Sequence, residues 1–173
     1  MKRKKSRAIF LDRDGVINED GGYVYKIDDF VFKSEIFNVL KKLQELGYIL
    51  IIVTNQSGIG RGYYTKEDFL KLTSFMVEEF KTRGINIAKV YYCPHKPEDN
   101  CECRKPKNGM LEEAINEFNI DPKSSWMIGD KLSDIEAANR SGIENTILIS
   151  EDKSQKTKFC TNSIYDIINI IKY

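Results

Sequence analysis

The sequence predicts an α/β fold, a parallel sheet with helices on both faces, from three observations. Short apolar runs alternate with amphipathic stretches along all 173 residues. Runs such as residues 48–53 are apolar throughout rather than alternating, which suits strands covered on both faces. Carboxylates, hydroxyls and amides collect where these runs end, the edge at which a parallel sheet holds its ligands. The length suits a single domain over residues 1–173, with a flexible basic tail expected at residues 1–7.

Each element has its own signal. Residues 8–12 form a short apolar run ending in carboxylate. Ser34 is placed to cap a helix whose apolar positions are Ile36, Val39, Leu40, Leu43 and Leu46, with Gly47 ending it. Residues 48–53 are the second strand. Thr65 caps a helix with Phe69, Leu72, Met76 and Phe80 at helical spacing. Residues 89–93 are a third strand, 110–118 a helix, and 125–129 a fourth strand. Ser133 is placed to cap a short helix ending at Ser141-Gly142, and residues 146–149 are a fifth strand. Ser163 to Asp166 reads as a capping box for a last helix using Ile167, Ile168 and Ile171. Strands separated by helices imply right-handed crossovers.

Composition excludes several classes. The net charge is +1, but residues 2–7 carry five cations, which leaves 22 cations against 26 anions in the body. A net-negative body argues against nucleic acid as the main partner. The longest apolar run is far below the ~20 residues of a spanning helix, so no membrane role is expected. No export signal is recognised, which points to the cytoplasm. No oligomerisation seam is visible, so a monomer is expected.

Four clusters carry the chemistry. Asp12-Arg13-Asp14-Gly15 puts two carboxylates on the first strand tip. Thr54-Asn55-Gln56-Ser57-Gly58 puts a hydroxyl and two amides on the second, and the following glycine-rich run offers free backbone N–H groups for an anion. Cys93-x-His95-x5-Cys101-x-Cys103 gathers three cysteines and the sole histidine into eleven residues. Residues two apart in extended chain point the same way. Four N/S donors then close a tetrahedral shell, as in structural zinc sites. Free thiols and a Cys–His nucleophilic pair are the competing readings, and Cys160 is read as packing or surface. Lastly, Lys105 brings a compact positive charge, and Gly129-Asp130 ends the fourth strand. Asp130 is placed to join Asp12 around Mg²⁺, a cation of oxygen donors. Asp134 is read as stabilising the first turn of its helix rather than as a ligand.

In this order the clusters resemble the haloacid dehalogenase-like phosphatases over residues 8–149, most of the chain. The matching signatures are Asp12-x-Asp14-Gly15, Thr54, Lys105 and Gly129-Asp130-x3-Asp134. Longer strings at residues 10–18, 91–95 and 101–106 are similar to the branch acting on a small sugar bisphosphate. The histidinol-phosphate phosphatase domain is a near relative of that branch. The resemblance implies a Rossmann-type core without a large cap domain, the pocket walls coming from residues 15–31 and the Cys/His loop. It implies Asp12 as nucleophile, Asp14 as acid and base, and Thr54 and Lys105 as holders of the phosphoryl group. Mg²⁺ would rest on Asp12, the backbone carbonyl of Asp14, and Asp130. Arg104 would recognise the substrate, and Asp20, Gly21, Gly22, Tyr23, Asn55, Gln56, Ser57 and Lys131 would line the sugar pocket.

Overall fold

The computed structural model describes residues 5–152 and 157–172. Six strands form one sheet in the order β3-β2-β1-β4-β5-β6: β1 (Ala8–Leu11), β2 (Ile49–Asn55), β3 (Ile87–Cys93), β4 (Trp126–Gly129), β5 (Asn145–Ile149) and β6 (Phe159–Thr161). Every pairing is parallel, with Leu11 beside Ile52 on one side and Ile128 on the other. The helices are α1 (Ile36–Glu45), α2 (Ser57–Gly60), α3 (Lys66–Lys81), α4 (Gly109–Glu117), α5 (Leu132–Arg140) and α6 (Asp166–Ile171).

Successive side chains of a strand point to opposite faces. Ile9 and Leu11 of β1 therefore enter one core, with Leu40 of α1, Met76 of α3 and Ile167 of α6. Ala8 and Phe10 enter the other, with Leu111 of α4 and Ala138 of α5. Helices cover both faces, as the apolar runs required. Order reverses at β1, whose neighbours are β2 and β4, and such a switch point opens a crevice at the carboxyl ends of the strands.

The structure corrects several local expectations. Thr65 caps α3 as expected, in a full capping box with Asp68. Ser34 does not cap α1; its N-cap is Glu35, with no side-chain bond. Ser133 does not cap α5: the helix begins at Leu132, with Lys131 at the N-cap, and Asp134 Oδ2 accepts from the backbone N–H groups of Asp130 and Lys131. The capping box at residues 163–166 is absent: Asp166 instead accepts from the Thr161 hydroxyl at 2.6 Å. The glycine-rich run folds into α2 rather than an open anion loop. Gly58 lies under the Tyr64 ring, where a Cβ would meet Cε1 at 2.0 Å, and Gly60 donates its N–H to Pro94 O. Strand β6 had no counterpart in the sequence reading. Residues 1–4 of the expected tail lie outside the described residues, but Ser6 bonds Asn119 and Asp121 through its backbone and Arg7 lies over Tyr48. Among the described residues no helix is long and apolar enough to cross a membrane.

Candidate functional site

The chemistry sits where β1, β2 and β4 end. Asp12 follows β1, and its backbone N–H donates to Ile128 O of β4, so the carboxylate is fixed between two central strands. Lys105 arrives from the loop before α4. Its ammonium is 1% exposed and donates to Asp12 Oδ1 (3.0 Å) and Val53 O (2.7 Å). It also pairs with Asp134 Oδ1 at 2.7 Å. Burial opposes this charge, but Asp12 and Asp134 outweigh it and hold the Lys105 pKa above its ordinary value. Asp12 is raised chiefly by burial, against the pull of Lys105.

Asp130 completes the group. Burial and the charge of Asp12 push its carboxyl up to about 7. Its Oδ1 is buried and has no hydrogen-bond partner among the described residues. Oxygens of Asp12, Asp130 and Asp134 lie within 4.8 Å of one another. Among the described residues, three carboxylates thus face one buried ammonium and the exposed Lys131, 3.6 Å from Asp130. This is a deficit of positive charge that a hard divalent cation fits. Asp134 spends Oδ2 on two backbone N–H groups and Oδ1 on Lys105, which leaves Asp12 and Asp130 as the side-chain donors. Two glycines, Gly15 after Asp14 and Gly129 before Asp130, allow the close approach of these carboxylates. A Cβ on Gly15 (φ +85°) would lie 2.3 Å from Asp130 Oδ2, and one on Gly129 2.3 Å from Asp134 Cβ.

Asp14 points into a hydrogen-bond cage. Its Oδ1 accepts from Arg13 Nη2 (2.9 Å), Arg13 Nε (3.2 Å) and Asn18 Nδ2 (3.0 Å), and its Oδ2 from Gln56 Nε2 (3.1 Å). Thr54, fully buried, accepts from the same Gln56 amide at 2.9 Å. Two amides expected to line the sugar pocket thus have partners within the protein. Asn55 clamps the Lys105 backbone from both sides: Nδ2 donates to Lys105 O, and Oδ1 accepts from Lys105 N, each at 3.1 Å. Gln56 is 3% exposed and bonds Thr54, Asp14 and Tyr64.

A cavity of about 520 Å³ opens beside this group. Its walls include Asp14, Asp20, Gly22, Tyr23, Asn55, Gln56, Ser57, Arg104, Lys105 and Lys131. Gly21 is exposed and is not part of the wall. Lys131 reaches Asp20 at 3.5 Å across the mouth. Sequence reasoning missed Tyr64, Arg13 and Asn18, and it missed the ion pair of Asp134 with Lys105. An arginine between two aspartates just past an apolar run was the one available signal.

The Cys/His cluster lies in the stretch of chain that leads into Lys105. Cys93 Sγ is 3.5 Å from Cys101 Sγ and 2.8 Å from Cys103 Sγ, and His95 Nδ1 is 3.5 Å from Cys93 Sγ and 3.3 Å from Cys103 Sγ. Sulfurs of a tetrahedral shell with ~2.3 Å bonds would stand roughly 3.8 Å apart, so the four donors are gathered as such a shell requires. Burial raises the Cys93 thiol. Burial also opposes ionisation of Cys101, but the backbone N–H of Arg104 and the neighbouring thiols outweigh it and bring Cys101 down to about 7. Cys160 stands apart, its thiol facing Ser150 O and Asp152 O.

A doubly covered parallel sheet with three aspartates and a lysine converging at its switch point is built to pass a phosphoryl group onto an aspartate, and the relatives show which class of protein uses it here. The HAD-hydrolase-like family model matches residues 102–164. The D-glycero-beta-D-manno-heptose-1,7-bisphosphate 7-phosphatase of Pasteurella multocida is 45% identical, covering 96% of this chain and 97% of its own. The D-glycero-alpha-D-manno-heptose-1,7-bisphosphate 7-phosphatase of Campylobacter jejuni is 48% identical, covering 97% of each. The crystal structure of the D,D-heptose 1,7-bisphosphate phosphatase of B. bronchiseptica, complexed with magnesium and phosphate, shares the fold with a TM-score of 0.85. It is 24% identical and covers 94% of this chain and 96% of its own. The chain belongs to the haloacid dehalogenase-like phosphatases.

Proposed function

We propose that this single-domain enzyme removes the 7-phosphate of D-glycero-D-manno-heptose 1,7-bisphosphate through an aspartyl-phosphate. The observation that carries the reading is the convergence of Asp12, Lys105, Asp134 and Asp130 beside a cavity walled by Arg104 and Lys131. Two near-full-length relatives named for this substrate support it.

In this mechanism an Asp12 carboxylate oxygen attacks phosphorus while the ester P–O bond breaks. Asp14 gives its proton to the departing sugar oxygen, so the sugar leaves as an alcohol. Asp14 then takes a proton from water as that water attacks phosphorus, and the P–O bond to Asp12 breaks to release phosphate. Lys105 and the Thr54 hydroxyl hold the phosphoryl oxygens, the positioned charge on which phosphoryl transfer depends. Mg²⁺ held by Asp12, Asp130 and the Asp14 carbonyl would neutralise charge on those oxygens. Arg104, Lys131, Asp20, Gly22, Tyr23 and Ser57 are the groups placed to meet the sugar and its second phosphate. Zn²⁺ on Cys93, His95, Cys101 and Cys103 would have no open position, so its role is to fix the loop that carries Lys105. The same reading makes the chain a cytoplasmic monomer whose partner is a small sugar phosphate, not nucleic acid or a membrane.

The test is phosphate release with Mg²⁺ from both anomers of the heptose bisphosphate and from histidinol phosphate. The expected result is a kcat/KM at least tenfold higher on a heptose bisphosphate. Preference for histidinol phosphate overturns the substrate, and release from none of the three overturns the reaction.

A further inference from the structure

Tyr64 lies outside every motif that carries the family resemblance, yet it ends a hydrogen-bonded strut that reaches two proposed catalytic side chains. Its hydroxyl donates to Gln56 Oε1 at 2.5 Å. That bond fixes which way the amide faces. Gln56 has one acceptor and two N–H donors. With Oε1 committed to Tyr64, Nε2 must face Thr54 Oγ1 (2.9 Å) and Asp14 Oδ2 (3.1 Å). The reversed amide would turn the N–H donors away from both Thr54 and Asp14. Burial also holds the Tyr64 hydroxyl protonated, with its pKa raised to about 12, so it remains a donor.

The strut has a rigid base. The Tyr64 ring is stacked on Tyr25, with centroids 5.0 Å apart and planes within 9°. Its opposite edge presses on Gly58, where no side chain fits. Because Thr54 Oγ1 accepts from Gln56, its own O–H is left to donate elsewhere. One amide therefore orients both the hydroxyl assigned to the phosphoryl group and the carboxyl assigned to the leaving group.

We propose that Tyr64, acting through Gln56, is a positioning residue that aims Asp14 at the leaving-group oxygen and the Thr54 hydroxyl at the phosphoryl group. This rests on the phosphatase reading above. It differs from a packing role in one consequence: loss of the strut hurts an ester in proportion to its need for a proton.

Tyr64→Phe keeps the ring and removes the strut. Turnover is measured on the heptose bisphosphate, whose alkoxide must be protonated, and on p-nitrophenyl phosphate, whose phenolate leaves without a proton. General acid catalysis contributes roughly 10²–10⁴-fold, so a misaimed acid loses part of that range. The expected result is an about tenfold fall in the ratio of the two turnover numbers, with KM for the heptose bisphosphate within about twofold of the parent. Gly58→Ala, which keeps every polar group but displaces the ring, should move the ratio the same way. An unchanged ratio in both variants, or a loss confined to KM, overturns the proposal. Failure of the parent enzyme to release phosphate from either ester instead overturns the phosphatase reading.

Discussion

Two charge-dense clusters meet in Lys105, whose ammonium pairs with the aspartates and whose backbone follows two residues after Cys103, and they are built differently. The aspartate cluster draws Asp12, Asp130 and Asp134 from the ends of two adjacent strands and the start of α5. It is buried and short of positive charge, with one carboxylate oxygen unpartnered among the described residues. The Cys/His cluster starts at the end of β3 and is otherwise confined to a single loop, with its four donors already gathered around one point. A set of donors left incomplete suits a site that must accept a substrate oxygen. A closed set suits a clamp. The difference teaches that charged clusters close to one another can be sorted by what they leave unsatisfied.

Breaking the aspartate cluster should abolish chemistry and spare the fold. Asp12→Asn removes the attacking carboxylate but keeps shape and a Lys105 partner. Turnover should fall by at least ~10³-fold, as for loss of other catalytic nucleophiles, with the thermal midpoint little changed. Phosphate assays and a melting curve check both. Next in size is Lys105→Met, which strikes both clusters' common neighbour. It leaves Asp12 and Asp134 buried without their ammonium, a loss on the order of 3–5 kcal/mol, and calorimetry should show it together with loss of activity.

Cys101→Ser addresses the clamp. We expect a lowered thermal midpoint and less than one zinc per chain by elemental analysis, with turnover reduced rather than abolished. An unchanged midpoint together with full activity would show that the loop needs no clamp. Asn55→Ala is subtler, because it cuts only the two bonds tying the Lys105 backbone to the tip of β2. Each such bond contributes about 0.5–1.5 kcal/mol, so the fold should lose on the order of 1–3 kcal/mol in a denaturant titration, with kcat lowered because Lys105 is held less firmly.

The smallest effect should come from a site remote from both clusters. Glu117 accepts from Lys89 Nζ at 2.6 Å and from the Tyr91 hydroxyl, and these bonds hold its carboxyl below the usual range. A depressed carboxylate stabilises the fold above its unfolded pKa, and that contribution is lost as pH falls through the folded one. Glu117→Gln should therefore melt slightly below the parent at pH 7 and close to it in acid.

The legible parts of the molecule were local ones. Apolar runs located five of the six strands, and Thr65 with the helical spacing of Phe69, Leu72, Met76 and Phe80 announced α3, though not the Asp68 half of its capping box. The four Cys/His donors were legible because strand and loop geometry brings near neighbours in sequence together. Strand β6 escaped because it has only three residues and a single pairing partner, β5. Asn55 and Gln56 do line the cavity, but their bonds within the protein were not legible, because an amide at a strand tip looks the same whichever group it also holds. Those protein partners are Lys105, fifty positions along, and Asp14, in the loop after β1. Asp134 was correctly read as tied to the first turn of α5, but its ion pair with Lys105 depends on a crossover that spacing cannot reveal.

The most direct test of the account is a crystal structure of the protein treated with beryllium fluoride and Mn²⁺, which together mimic a phosphorylated aspartate and its cation. The account predicts fluoroberyllate bonded to an Asp12 oxygen, with the manganese anomalous peak between Asp12 and Asp130. Fluoroberyllate on Asp130 or Asp134, or manganese remote from Asp12, would contradict it.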